Sequence, residues 1–446
     1  MRQINWKGQD IPVLGYYDVI VIGGGTAGAL AGIAAAREGR QTLIIEQFGS
    51  LGGSATMGQV TPLMTSGIPH LRSHCPLGLE ISTRMQAIGG SDDNDHLFDP
   101  TMLAFVLEDM ATESDCALLY HTLLAGVVMT GEHLDAVVVC NKDGLTAFTA
   151  TSFIDCTGDA DLAAMAGVDC EIGDHNGVNQ PVSLRFEMGG IDFDAFHQAM
   201  RQMGNKGFKY FAMNSPGMAD LIRQAYDDGL LTQQDAVYFQ AFGIPGKPDA
   251  MAFNCPELTT KSDVADAFFL TRKQIEGKKA IIRLRRFLRE RIPGFEQAYV
   301  TQAAPMVGIR ESRRIDAVYN MQIMDVLGYR KFADAIISCN YMIDVHGVDD
   351  VTLGLQYDQS VPSEQRFWQV PFRCLVAKKT DNLLVAGRCA GLDFRAQSAA
   401  RIQLVCRAMG EAAGLACALA QQQQIGLHDL DPVLVHEKLV ERGMKM

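Results

Sequence analysis

The chain has 446 residues, 39 of them basic and 52 acidic, and carries a formal net charge of −13. One hydrophobic core rarely serves that length, so two domains, or one large domain with an insertion, are expected. Hydrophobic residues at 48% and charged residues at 20% exclude a disordered chain, a coiled coil or a fibrous repeat. The acidic balance, with no block of like charge, argues against a nucleic-acid face or an anionic membrane partner, because either needs a Lys/Arg footprint. The start of the chain holds no apolar run of signal-peptide length, which reads as an untargeted, cytoplasmic protein. The most apolar stretches, 19–36 and 399–420, are broken by glycine clusters or by Arg401, Arg407 and Glu411, so no membrane span is expected. Eleven cysteines without a C-x-x-C pair suit reduced thiols and supply neither an iron–sulfur cluster nor a zinc knuckle, and no other metal-ligand spacing is present. The 43 glycines point to close backbone approach.

In chain order, residues 17–22 form a short β-branched run of the kind buried in a parallel sheet. A glycine-rich turn leads into an alanine-rich helix over 29–38 that stops at Gly39, and 41–46 is a second buried strand, completing a βαβ unit. Helical spacing over 99–116 starts from Asp99-Pro100, a good cap followed by proline at the first helical position. Strands are predicted over 118–130, 134–141 and 146–155. From about residue 189 the character changes to helices over 193–203, 218–228 and 264–291, joined by loops containing Pro and Gly. A last strand over 382–386 runs through Gly387-Arg388 into a long small-residue helix starting near Ser398.

The strand–turn–helix carrying Gly23, Gly24, Gly25, Thr26, Ala27 and Gly28 fits Gly-x-Gly-x-x-Gly, which aims backbone N–H groups and the positive helix end at a pyrophosphate. Glu46, with Gln47 beside it, ends the next strand, where a carboxylate accepts hydrogen bonds from a ribose diol. Three glycines also let a helix pack on a strand without any ligand, and this motif alone does not distinguish FAD from NAD.

Three further segments bear on that choice: Leu51-Gly52-Gly53-Ser54-Ala55-Thr56, Ile154-Asp155-Cys156-Thr157-Gly158-Asp159, and residues 382–389 with the helix after them. Together they resemble the accessory signatures of two-dinucleotide-fold FAD proteins related to the fumarate reductase flavoprotein superfamily. Residues 307–315 (Val-Gly-Ile-Arg-Glu-Ser-Arg-Arg-Ile), 341–346 (Tyr-Met-Ile-Asp-Val-His) and 370–376 (Val-Pro-Phe-Arg-Cys-Leu-Val) further resemble the FAD-dependent oxidoreductase family, and the likeness runs from about Tyr17 to Ala420. It implies an α/β protein: a Rossmann-like FAD-binding domain of the ββα-sandwich, glutathione reductase type, made of 1–188 plus 375–446, with an inserted mixed α+β substrate domain over 189–374. It also implies that Gly52, Gly53, Ser54 and Ala55 lie beside pyrophosphate and flavin, Leu124 beside adenine, Thr157 and Gly158 on the adenosine side, and Gly387 and Arg388 on the ribityl chain. Ile402 and the start of the last helix would face the flavin, whose reduced anion a helix N-terminus favours. No histidine closely follows Gly53, so FAD is expected without a covalent link. Where relatives carry a Thr-His-Glu-like run, this chain has Ala390-Gly391-Leu392-Asp393-Phe394-Arg395, a departure that bears on the substrate.

A flavin enzyme must hold the reacting carbon, move one proton and neutralise substrate charge. Arg310 is the candidate anion clamp, with pairing to Glu311 or another carboxylate as the purely structural alternative. His346 is the candidate proton carrier, since Asp344 lies two residues before it on what reads as one strand face. Tyr341 and Arg395 are weaker candidates of the same kind. Cys156, Cys389 and Cys406 fall inside the segments that the resemblance assigns to the cofactor, where a redox dithiol needs two of them to meet. The expected function is hydride exchange between a small polar metabolite and FAD, with the electron acceptor open and a homo-oligomer compatible. The alternatives are an electron-transfer flavoprotein subunit working with a redox partner, and an RNA-modifying flavoprotein, which the net charge disfavours.

Overall fold

The computed structural model describes residues 2–64, 68, 75–205, 210–212, 215–235, 237–260, 264–347 and 357–446. Strand β1 (Gln9–Ile22) ends in Val-Ile-Val-Ile, all four buried, because it is flanked on both sides. It pairs in parallel with β2 (Thr42–Ile45), from Val19↔Thr42 to Ile22↔Ile45, and with β3 (Gly144–Asp155) on its other edge. Helix α1 (Thr26–Arg37) makes the crossover between β1 and β2. The long β3 changes partner along its far edge: residues 144–149 pair antiparallel with the strand His133–Asn141, and 153–155 pair in parallel with Leu383–Val385. The first sheet is therefore a parallel core with an antiparallel meander grown onto it, in an α/β arrangement.

Two expected boundaries shift. The first strand starts at Gln9, in a hairpin with Gln3–Trp6, because its first half is a half-exposed ribbon without the apolar run that marks the second half. The strand expected over 118–130 is two, Ala117–Leu119 and Leu123–Thr130, separated where His121 adopts a left-handed backbone (φ 52).

A second, antiparallel sheet contains β4 (Phe186–Gly189) and β5 (Lys247–Phe253), with Gln240–Ile244 and Tyr210–Ala212 beyond β5 and Tyr299–Ala303 beyond β4. One face carries Leu184, Phe186, Met188, Met251 and Phe253 into a core of its own, shared with Phe196, Phe295 and residues of α2 (Ala267–Arg291) such as Leu284 and Phe287. Phe186 and Phe253 stack with ring centroids 4.6 Å apart. The described residues of 313–375 do not join this core. Its buried Met321, Val326, Ile336, Trp368, Val370 and Phe372 pack instead with Val19, Ala31 and Leu415 of the first core, so the range 189–374 is divided between two cores.

The terminal helix expected from Ser398 is also two, α3 (Phe394–Ala400) and α4 (Gln403–Gln423), which meet at 94°. Among the described residues no single helix is long and apolar enough to cross a membrane; the bent pair passes only when joined, and most of its residues are buried. Helix α4 lies directly on α1. A Cβ at Gly410 would overlap the carbonyl of Ala27, and one at Gly414 the carbonyl of Ala31, so the two helices touch backbone to backbone. Gly414→Val should lower the unfolding free energy by about 3 kcal/mol, the upper range for overpacking, as read by urea denaturation.

Candidate active site and cofactor cradle

The three motif glycines have different reasons to be glycine. A Cβ at Gly23 (φ 90) would stand 2.6 Å from the Cys156 carbonyl oxygen, and one at Gly28 would overlap the Gly23 carbonyl, so the protein's own packing demands both. At Gly25 nothing among the described residues comes nearer than 3.9 Å to such a Cβ. The fold does not need glycine there, and its bare backbone caps α1 without any side-chain hydrogen bond. The amides at the start of α1 are thus left for an anion. Gly53 packs on Gly25, Thr26 Oγ1 donates to the Gly52 carbonyl (3.2 Å), and Ala27 is buried beneath. Glu46 Oε2 accepts from Gly24 N–H (2.7 Å) and Oε1 from Phe48 N–H (2.8 Å). Burial raises its ionisation against the pull of those amides, and lone pairs remain for a diol. Gln47 and Ser54 are exposed, Ala55 is buried, and Leu124 is half-buried against the first sheet's core.

Gly387 (φ 104) approaches only Ala27, at 3.5 Å from a notional Cβ, which brings the loop before α3 to the start of α1. Arg388 pairs with Asp159 (2.8 Å) and Ser312 (2.8 Å) and closes over Gly158. Thr157 is committed to Asp155, whose carboxylate accepts its N–H (2.9 Å) and hydroxyl (2.7 Å). Ile402 is the residue at the bend that starts α4. Beside that bend, Thr61 Oγ1, Gln403 Oε1 and both ends of the Gln59 amide are buried with no partner among the described residues. Orphaned polar atoms of this kind call for a polar ligand in the same space.

A chain of charges crosses from the second sheet to this bend. Arg310, 9% exposed, donates to the Pro181 carbonyl (2.5 Å) and pairs through Nη2 with Glu257 Oε2 (3.2 Å). The same oxygen meets His346 Nδ1 at 2.8 Å, and His346 Nε2 lies 3.3 Å from Asp344 Oδ1. Asp344 in turn takes Arg401, which donates to its carbonyl (2.9 Å) and lies 3.3 Å from Oδ2. Tyr238 stands edge-on to the His346 ring, centroids 5.2 Å apart. Gln397 ties this chain to the cradle by donating to the carbonyls of Arg310 (3.0 Å) and Arg388 (3.2 Å). Burial opposes the charge on Asp344, but the His346 hydrogen bond and the Arg401 charge outweigh it and hold the carboxyl at about 2. Glu257 is lowered in the same way, against burial, by His346 and Arg310. Arg401 is lowered by burial.

The structure therefore brings Arg310 and His346 into one array, and Arg310's partner is Glu257 instead of Glu311, which pairs with Arg314. Asp344 does meet His346, although 340–346 is irregular chain and not a strand. Arg395 is elsewhere. Because α3 starts at Phe394, Arg395 sits in its first turn, and helical side chains lean toward the N-terminus. It lines a separate cavity of about 650 Å³ with Glu171, His175, Arg314 and Asp393. Cys156, Cys389 and Cys406 are free, and burial holds all three as thiols. Glu257, Arg401 and Tyr238 were not legible as site residues, since no motif surrounds them and only the fold brings them to His346.

A model of the FAD dependent oxidoreductase family matches residues 18–439. The chain belongs to that family. It is an FAD-dependent oxidoreductase, and the cradle's free amides, Glu46 and orphaned polar atoms fit FAD as its cofactor. Similar solved structures include a geranylgeranyl bacteriochlorophyll reductase-like protein from Thermoplasma acidophilum (14% identity, TM-score 0.49, covering 96% of this chain and 84% of that one). Another is the p-nitrophenol 4-monooxygenase of Pseudomonas putida DLL-E4 (10% identity, TM-score 0.47, covering 96% and 84%). No curated protein matches the chain.

Two outcomes follow for the FAD-dependent oxidoreductase. Gly25→Val should leave the denaturation midpoint of the cofactor-free protein unchanged while the flavin absorbance of the purified protein is lost; full loading would contradict the cradle. Asp344, with its folded value depressed from 3.8 to about 2, contributes stability present above pH 3.8 and lost as pH falls toward 2. Asp344→Asn should show a shallower loss of stability across that window in denaturant titrations at each pH.

Proposed function

We propose that this oxidoreductase exchanges a hydride between a small polar metabolite and non-covalently bound FAD, in the cytoplasm. The supporting observation is the Arg310–Glu257–His346–Asp344–Arg401 chain, which runs from the end of the second sheet to the α3–α4 bend beside the cradle. In this reading the first sheet with α1 and α4 forms a discontinuous FAD-binding unit of the glutathione reductase type, related to fumarate reductase flavoproteins. The second sheet is an inserted substrate unit that closes over it.

When bound, FAD supplies the two-electron acceptor for the substrate's C–H bond. His346 takes the proton of the substrate's hydroxyl or amine, and a carbonyl or imine is left. With Nδ1–H donated to Glu257, the Nε2 lone pair faces Asp344 Oδ1; taking up a proton turns that repulsive pair of acceptors into a hydrogen bond. Arg310 holds Glu257 in place and presents the rest of its guanidinium toward the substrate.

The test is anaerobic bleaching of the FAD-loaded protein by a screen of small polar metabolites. His346→Ala should keep FAD and slow bleaching by roughly 10²–10⁴, the usual worth of a positioned acid or base. Arg310→Ala should also keep FAD, with a raised KM. Unchanged turnover in both variants would sink the assignment.

A further inference from the structure

Arg185 stands one residue before Phe186 on β4, and Asn254 one residue after Phe253 on β5. Phe186 and Phe253 are register partners that stack inside the second core. Strand side chains alternate between faces, so Arg185 and Asn254 lie on the opposite face. At this end that face carries polar groups, beyond the small apolar cluster of Ile244, Ala250 and Ala252: Asn254 Nδ2 donates to Tyr238 Oη (3.1 Å) and to Gln240 Oε1 (3.1 Å), and Tyr238 is the ring set against His346.

The Arg185 carbonyl accepts from Ala304 N–H (2.9 Å), but among the described residues its guanidinium has no hydrogen-bond or ion-pair partner, although it is partly buried and within electrostatic range of Arg310, Arg401 and Tyr238. The carboxylates around it are taken. Glu257 holds Arg310 and His346; Asp344 holds His346 and Arg401. Glu187, on the same face of β4, holds Lys247 (2.9 Å) and Thr301 (2.8 Å), and Asp235 holds Arg283 (2.7 Å). Three guanidinium groups thus share two carboxylates, which leaves a positive charge uncompensated in a protein-lined space. Two buried polar atoms nearby are also unpartnered, Asn254 Oδ1 and Gln180 Nε2; the Gln180 amide oxygen accepts the His346 N–H (3.2 Å). Burial, with the Arg310 charge next in weight, pushes Arg185's ionisation down to about 9. An unpaired charge in such a setting is costly to the fold unless a ligand completes it.

We infer that Arg185 is a specificity residue that binds the substrate's carboxylate, and that the enzyme's substrates are small organic acids. The inference rests on the hydride-exchange reading, in which the carbon beside that carboxylate gives up the hydride and His346 takes the proton of the hydroxyl or amine that this carbon bears. A planar fork matches a carboxylate with two parallel hydrogen bonds, and Asn254 and Tyr238 offer polar contacts for a neighbouring hydroxyl or amine.

The experiment titrates the FAD-loaded full chain with glycolate, L-lactate, pyruvate and benzoate, each beside its neutral amide, and follows the visible flavin difference spectrum. The acids should give saturable shifts and the amides none. Arg185→Gln should retain FAD, weaken acid binding at least tenfold and raise the Tm of the ligand-free protein, because it removes an unpaired charge; Arg185→Lys should fall between it and the wild type. The comparison of acid with amide in the wild type tests the assignment even where a variant fails to fold. Absence of any acid-dependent shift, amides binding as tightly as acids, unchanged affinity in Arg185→Gln, or loss of FAD from that variant would each overturn it. Bleaching by a neutral alcohol or amine would sink the carboxylate inference alone, whereas acid binding with no bleaching by any substrate would sink the hydride-exchange reading and leave the anion site standing.

Discussion

The site depends on where α1 is allowed to begin. Gly28 can lie against the Gly23 carbonyl only because it carries no side chain, as Gly23 lies against the Cys156 carbonyl, and the first contact fixes the first turn of α1 at the end of β1. From there the rest is constrained. The helix cannot be capped by its own sequence, since Gly25 has no side chain to give, so its amides stay bare. Gly410 and Gly414 then let α4 come down on the same helix, which sets the α3–α4 bend, and with it Arg401, above the start of α1. The cradle and the inner end of the charged chain are consequences of one backbone contact and its echo.

The charged chain shows how opposing terms are resolved in a buried setting. Burial alone would push Asp344 and Glu257 toward their neutral forms, and each is held charged by an arginine on one side and the His346 ring on the other. His346 lies between the two carboxylates, so its tautomer is set by one and its protonated form satisfied by the other. Such an array opposes rearrangement, because moving any member leaves a charge without its partner in a buried setting.

Local elements were legible to the extent that local physics fixes them. The β-branched run of β1, the alanine-rich α1 and the Asp99-Pro100 cap each carry a signal within a few residues, and the structure has them with small changes in extent. The break at His121 and the bend between α3 and α4 were not readable, because both follow from packing against distant elements. Glycine usage misled in an instructive way: the pattern treats Gly23, Gly25 and Gly28 alike, whereas only Gly25 is free of the protein's own needs. His346 and Arg310 were found by residue type, but Glu257, Arg401 and Arg185 sit in ordinary stretches of sequence and gain meaning only from which strand face or bend they occupy.

The change of partner along β3 has a bearing on how the chain assembles. Its first half is paired by the hairpin strand immediately preceding it, but its second half waits for Leu383–Val385, which follows only after the entire second sheet and its helices. Closing so long a loop is entropically slow, whereas the second core is built from contacts within a contiguous span. On the ribosome the second sheet can therefore mature while the first is still missing a strand and the covering α4. Cofactor capture becomes a late event, coupled to arrival of the final helix, and the nascent protein is born with its second sheet folded before its FAD cradle exists.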